Sequence, residues 1–372
     1  MKSLLLWTLL LMPSLLPEAW SQGVARFYTG TFTSEGAEGI SLCTLDTLTG
    51  DMEVVQVFKG IDNPNFLKIS PDRRFLYAVT RGPRGVDPDG GSVSAFQIMD
   101  NGELRFLNKM SAHGDDPCYA EVSSDGRWLV VANYGGGSVV LFPLEEDGSL
   151  APATSVVCHE GSGAHAVRQT RPYAHSIRFS PFDGLLYAAD LGADRLFAYT
   201  LRPGPGTLEP KPGAQALLPP GAGPRHIDFA PEGRFCYVVN ELSSTVSVFE
   251  YVNGAMSLLQ DISTLPGEFR GTSFCADIHL SSCGKWLYAS NRGHNSLAVF
   301  SRDAVTGRLT PVTHVSVEGN WPRHFALAPG GRYLLVANQR SHQISLFRLE
   351  NGIPFFTGKE LKTPAPVCVE FL

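Results

Sequence analysis

The sequence contains no Cys-x-x-Cys pair and no Asn-x-Ser/Thr sequon. Beyond its first residues it has no run of the ~18–20 apolar residues that a membrane span requires. The first absence leaves a thiolate zinc site without support, and no metal or cofactor is expected. The second removes any N-glycosylation site. The third argues against a membrane protein. An excess of positive charge is also missing: 30 Lys and Arg stand against 36 Asp and Glu, a net −6. Such a balance offers no footprint for nucleic acid or anionic lipid. The seven cysteines are an odd number, so at least one is unpaired, and Cys236 lies in a strand phrase where a buried, inert thiol is expected. Gly135-Gly136-Gly137 precedes a strand, not a helix, and is no phosphate loop. Asp87-Pro88-Asp89-Gly90 lacks the rest of a calcium loop and reads as a turn.

What is present begins with a charged Lys2, an apolar Leu4–Leu16 segment broken by Pro13, and Ala19-Trp20-Ser21. This order matches a cleavable secretory signal over residues 1–21, with the mature chain starting near Gln22; an uncleaved anchor is the alternative. The expected location is extracellular. Removing Lys2 and Glu18 leaves the net charge unchanged.

The rest of the chain is repetitive. One phrase recurs as SPDRRFLYAVT (70–80), SSDGRWLVVAN (123–133), SPFDGLLYAAD (180–190), APEGRFCYVVN (230–240), SSCGKWLYASN (281–291) and APGGRYLLVAN (328–338). Its last residues are spaced by 53, 57, 50, 51 and 47 positions. A repeat of roughly 40–50 residues built from short strands is the mark of a β-propeller. Gly- and Ser-rich strands follow, such as Gly136–Phe142, and then Gly-x-Leu turns such as Gly102–Leu104 and Gly307–Leu309. The 38 Gly and 26 Pro punctuate these strands. Ala25–Gly30 supplies a seventh phrase without an inner strand before it. The lone Pro366–Phe371 run supplies that strand. The prediction is an all-β, seven-bladed propeller over residues 22–372, a single domain whose ring is closed by the C-terminal strand. Trp128 and Trp286 are expected in the core.

Polar residues at the blade ends carry the chemistry. Counting 14 residues back from each phrase end reaches Phe66, Tyr119, His226, Asp277 and His324. His175 is reached by counting 15 back, allowing for an inserted residue in SPFDG. The phrase ends themselves carry Tyr134, Leu191, Glu241, Arg292 and Gln339 just beyond Asn or Asp. In an antiparallel blade these two sets share one face, so His175, Arg225, His226, Glu241, Asp277, Arg292 and His324 converge on one channel mouth, Arg225 and Arg323 immediately preceding two of the histidines. A concave cluster of this kind is the default site. Asn133, Asn240, Asn291 and Asn338 read as local caps. His294 and His342 read as exposed turn residues.

The segments NPNFLKISPD, VANYGGGSV, YAHSIRFSP, GAGPRHIDFAPEGRF, NELSSTVSVF and SNRGHNSLAVF resemble the seven-bladed lactonase family. That family holds the propeller-type bacterial 6-phosphogluconolactonases and the fungal carboxy-muconate cycloisomerases. The resemblance spans essentially the whole mature chain. It implies site roles for His175, Arg225, Glu241 and Arg292. The chain departs from the family in having Thr80-Arg81 in place of a frequent Asn-Glu, and Tyr119 in place of a frequent His.

Opening a lactone needs a base for water, donors for the oxyanion and an acid for the leaving alkoxide. His175 and Glu241 can move protons, and Arg225 and Arg292 can clamp an anion bidentately. His226, Asp277, Arg323, His324, Gln339 and Tyr134 are the candidate substrate contacts. The expected activity is hydrolysis of a small anionic sugar lactone. Two alternatives stay open: a non-catalytic propeller that binds a ligand or protein partner, and a muconate-type cycloisomerase.

Overall fold

The computed structural model describes residues 23–82 and 90–372. The proposed signal segment and Asp87–Asp89 lie outside these residues. Seven antiparallel sheets stand around a central channel. Their innermost strands are Pro64–Ile69, Pro117–Val122, Ala174–Phe179, Pro224–Phe229, Phe274–Leu280, Pro322–Leu327 and Pro366–Phe371. The last of these completes blade 1. It pairs with Val24–Thr31 in the register Phe27–Phe371, Thr29–Val369 and Gly30–Cys368. The ring is therefore closed by the C-terminal strand, as the lone final run predicts.

Six blades have four strands, and blade 4 has five. Its outer edge is split into Thr207–Pro210 and Ala216–Leu217, both paired to Arg195–Arg202. Pro210 and Pro212 lack the N–H a continuous ladder needs, so the edge strand breaks between them.

The second strands are buried along most of their length because neighbouring blades cover both faces; Trp128–Asn133 and Tyr333–Asn338 are buried throughout. A recurring tyrosine stitches blade to blade. Tyr28, Tyr77, Tyr187, Tyr237 and Tyr288 donate their hydroxyls to the carbonyls of Gly102, Gly148, Gly254, Gly307 and Gly352 over 2.7–3.1 Å. The apolar ring fills the core while its polar tip satisfies a turn in the next sheet. The turn needs glycine: at Gly148 φ is +83° and an added Cβ would meet the Phe75 ring at 2.1 Å. Trp128 is buried, whereas Trp286 is half-buried and packs against Gly352 of the next blade.

The recurring asparagines are stitches too. Asn133 Nδ2 donates to Ala112 O, Asn291 Nδ2 to Thr264 O and Asn338 Nδ2 to Val317 O, each tying a strand end to the preceding blade. All seven cysteines are free, and Cys236 is fully buried, which holds its thiol well above the ordinary range. Among the described residues no helix is long and apolar enough to cross a membrane.

Candidate active site

The inner strands share a local irregularity that builds the site. Where each begins, the register with its neighbour slips by a bulge. Pro224 pairs with Asn240 but His226 pairs with Val239; Pro322 pairs with Asn338 but His324 with Ala337. The skipped residues are Asn65, Cys118, His175, Arg225 and Arg323. A bulge re-aims the side chain it carries, and these five line one enclosed cavity at the channel mouth. Phe66, His226, His324 and Val367 complete its wall.

This geometry corrects the alignment of His175. SPFDGLLYAAD has no inserted residue, and Ser176, not His175, pairs with Ala189 as His226 pairs with Val239. His175 is thus the blade-4 counterpart of Arg225 and Arg323. It sits one residue higher in the channel than His226, their rings 5.3 Å apart.

Glu241 is the anionic centre of the mouth. Its Oε1 lies 2.7 Å from Arg168 Nη2, and its Oε2 lies 2.7 Å from Arg292 Nη2 and 3.2 Å from Arg225 Nε. Burial opposes its charge, but the three guanidinium groups prevail and hold its pKa at about 2. Arg225 and Arg292 are further fixed by donating to the carbonyls of Ala276 and Cys275. Both arginines assigned to clamping an anion are therefore already engaged by Glu241.

Arg323 is placed differently. It is half-buried in the cavity wall, its guanidinium 5.4 Å from the centre of the Phe32 ring. Among the described residues no carboxylate lies within ion-pair distance of it. Burial, Arg225 and Arg292 pull its pKa down to about 9. Arg81, over the same Phe32 ring, is by contrast neutralised by Asp116 at 2.6 Å.

Deeper in the channel, Asp277 is a hub. Its Oδ1 accepts from His226 Nδ1 at 2.7 Å, and its Oδ2 lies 3.1 Å from His279 Nε2 and 3.5 Å from His324 Nε2. Backbone N–H groups of Ile278 and Phe325 complete its shell. Burial raises its pKa, but His279 and His324 outweigh that and leave it well below the carboxylate range. Asp277, His279 and His324 could offer an ion three ligand atoms within 4.8 Å of one another. However, Val369 N–H donates to His324 Nδ1 at 3.3 Å. A neutral His324 therefore carries its hydrogen on Nε2, toward the carboxylate, which is the wrong tautomer for ligation there.

His175 is buried and neutral: burial first, then Arg225, hold its pKa well below 6.5. Its Nδ1 is 3.8 Å from the Cys118 thiol, and no carboxylate orients it. Tyr134 lies edge-on to His175 at 5.4 Å and accepts a hydrogen bond from Arg168. Gln339 instead faces the Glu35 carboxylate, 2.9 Å from its Oε1. Tyr119 stacks on Phe66 at 4.1 Å and forms an aromatic floor. Arg168, Glu35, Phe32 and Asp116 were not singled out from the sequence. All four lie outside the recurring strand phrases.

The channel's other end carries a second layer. Lys68, Glu121, Arg178 and Asp228 stand on successive inner strands with alternating sign, each 3.4 Å from the next, and Glu370 meets Lys68 at 4.0 Å. A larger concavity of about 880 Å³ opens there, and its lining includes Lys68 and Arg178 beside Glu121, Asp125, Asp183 and Asp228.

A seven-bladed propeller whose bulged inner strands crowd arginine and histidine around an enclosed cavity defines the class: a propeller with a small-molecule site at one channel mouth. More particularly, the chain belongs to the seven-bladed β-propeller lactonase family: residues 26–371 match the family described as "Lactonase, 7-bladed beta-propeller". It is 37% identical over 350 residues to a 6-phosphogluconolactonase of Bacillus subtilis, covering 93% of this chain and 97% of the relative. A 6-phosphogluconolactonase of Formosa agariphila is 33% identical over 92% of this chain and 96% of its own. Among solved structures, the periplasmic gluconolactonase of Pseudomonas aeruginosa superimposes with a TM-score of 0.89 at 36% identity, covering 94% of this chain and 99% of that one.

Proposed function

We propose that the protein hydrolyses a small anionic sugar lactone, with a phosphorylated aldonolactone as the reference substrate. The observation that carries this is the uncompensated Arg323 in the cavity wall. A guanidinium withdrawn from water without a carboxylate partner is costly, and an anionic group of the substrate supplies the missing partner. Relatives named 6-phosphogluconolactonase and gluconolactonase support the reaction class. In the reaction, Arg225 and Arg292 present N–H donors toward the mouth for the developing oxyanion. Glu241 holds them in place, its two carboxylate oxygens committed to Arg168, Arg225 and Arg292.

The enclosed volume is about 10 Å³, room for roughly one water. Admission of a lactone ring therefore requires a rim side chain to swing aside, and Arg168, a third exposed and reaching across the mouth, is the one placed to do so. The N-terminal segment is read as a secretory signal, so the activity is assigned outside the cytosol; that one relative is described as periplasmic supports this. The test is a panel of aldonolactones, phosphorylated and neutral, assayed by proton release with purified protein. Hydrolysis of phosphorylated members with the lower KM is expected. No hydrolysis of any member overturns the proposal.

A further inference from the structure

His226 is held by two partners whose roles are fixed. Asp277, ionised, can only accept, and its Oδ1 lies 2.7 Å from His226 Nδ1. Arg225 can only donate, and its Nη1 lies 3.1 Å from His226 Nε2. The tautomer follows: the hydrogen is on Nδ1, and the lone pair of Nε2 accepts from Arg225, which lines the same cavity as His226. A carboxylate on one ring nitrogen and a reacting site at the other is the arrangement that lets imidazole work as a base. His175 has no such partner, and neither of its nitrogens meets a group of fixed role.

We infer that His226, oriented by Asp277, is the residue that exchanges protons with the substrate; this rests on the lactonase reading above. Nε2 takes a proton from water as its oxygen bonds to the lactone carbonyl carbon, and the carbonyl electrons pass to the oxygen. The Nδ1–H stays on the imidazolium and is stabilised by Asp277. When the tetrahedral species collapses, the ring C–O bond breaks and Nε2–H gives its proton to the departing oxygen. One water is consumed and a hydroxy acid is formed, whose ionisation releases a proton to solvent. Arg225 must turn from Nε2 toward the anion for the base to be free. Other groups that face His226 are His175, Tyr119, Arg323, and His324 through the shared Asp277. Burial and then Arg225 hold the His226 pKa down at about 3. A substrate anion that neutralises the arginines raises it toward the working range.

The experiment compares His226→Gln, His226→Ala, His175→Gln and Asp277→Asn with the parent on the lactone it turns over fastest. His226→Gln is expected to lower kcat by ~10²–10⁴-fold with KM within about threefold. Added imidazole should restore turnover to His226→Ala, with a pH dependence that follows free imidazole. Asp277 is a positioning residue. Its change to Asn should lower kcat and shift the acid limb of the pH profile, and should abolish the downfield Nδ1–H proton resonance that His226→Gln also removes. Should Asp277→Asn not fold, the resonance in the parent and the imidazole rescue decide. Loss of kcat in His175→Gln with His226→Gln unaffected, or a folded His226→Ala without rescue, overturns the inference and leaves the lactonase reading intact. A parent protein without lactone turnover overturns both.

Discussion

Arg168 and Glu241 are joined by a 2.7 Å ion pair across the channel mouth, although 73 residues separate them. Arg168 comes from the loop before blade 4 and Glu241 from a strand end in blade 5, so the contact straps one blade to the next. Arg168→Ala should therefore act twice. It should remove a charge-assisted bond, costing about 1 kcal/mol of stability once partial exposure is allowed for. It should also open the rim and raise the rate at which lactone enters, seen as a faster association step in stopped-flow mixing.

Acid titration should report the Glu241 cage. A carboxylate with its pKa lowered from 4.5 to about 2 contributes stability that is fully present above pH 4.5 and is lost as pH falls toward 2. Arg168→Ala moves the folded value back toward 4.5. The variant should start less stable at pH 7 and lose less between pH 4.5 and 2. Chemical denaturation at stepped pH, read by tryptophan fluorescence, checks this; parallel curves for parent and variant would contradict it.

Arg323 should decide substrate charge. Arg323→Ala should raise KM for a phosphorylated aldonolactone by at least about tenfold, the scale of one lost charge-assisted contact, and change KM for the neutral lactone little. Arg323→Lys should recover part of the loss, because the point charge remains but the fork does not. Equal effects on both substrates would show that Arg323 serves the fold and not the anion.

Residues 367–372 should be indispensable to the ring. Deleting them strips blade 1 of its inner strand and exposes the backbone groups of Val24–Thr31 that pair with it. The truncated chain should melt far lower, without a single sharp transition. An unchanged calorimetric profile would remove the closure from the account of stability.

Secretory expression should yield a soluble product beginning near Gln22 in the medium, identified by N-terminal sequencing. Recovery of intact Met1 on a membrane fraction would make the segment an anchor.

The repeated phrase made blade number, ring closure and the mouth legible, because burial on both faces of a second strand imposes a pattern that composition cannot hide. The exact level of each inner residue was not legible. His175 falls one position above its expected place because SPFDG holds no inserted residue, so the count that reaches His226 and His324 reaches Ser176 in blade 4. Arg168 and Glu35 escaped because they lie on connections that follow no period. His342 is the exposed turn residue that the sequence suggests. It accepts a hydrogen bond from Ala365 N at 3.0 Å and so steadies the approach of the closing strand. His342→Ala should thus cost about 1 kcal/mol while leaving kinetics unchanged.

The pairing of Pro366–Phe371 with Val24–Thr31 also sets an order of events during biosynthesis. The first strands to leave the ribosome wait for the last. Blades 2 to 7 can form hairpins as they emerge, but blade 1 stays unfinished until Pro366–Phe371 has been made. No closed ring can exist on a chain that has not yet reached Phe371. The chain is thereby kept open until that strand has been made, and only then can it become a ring.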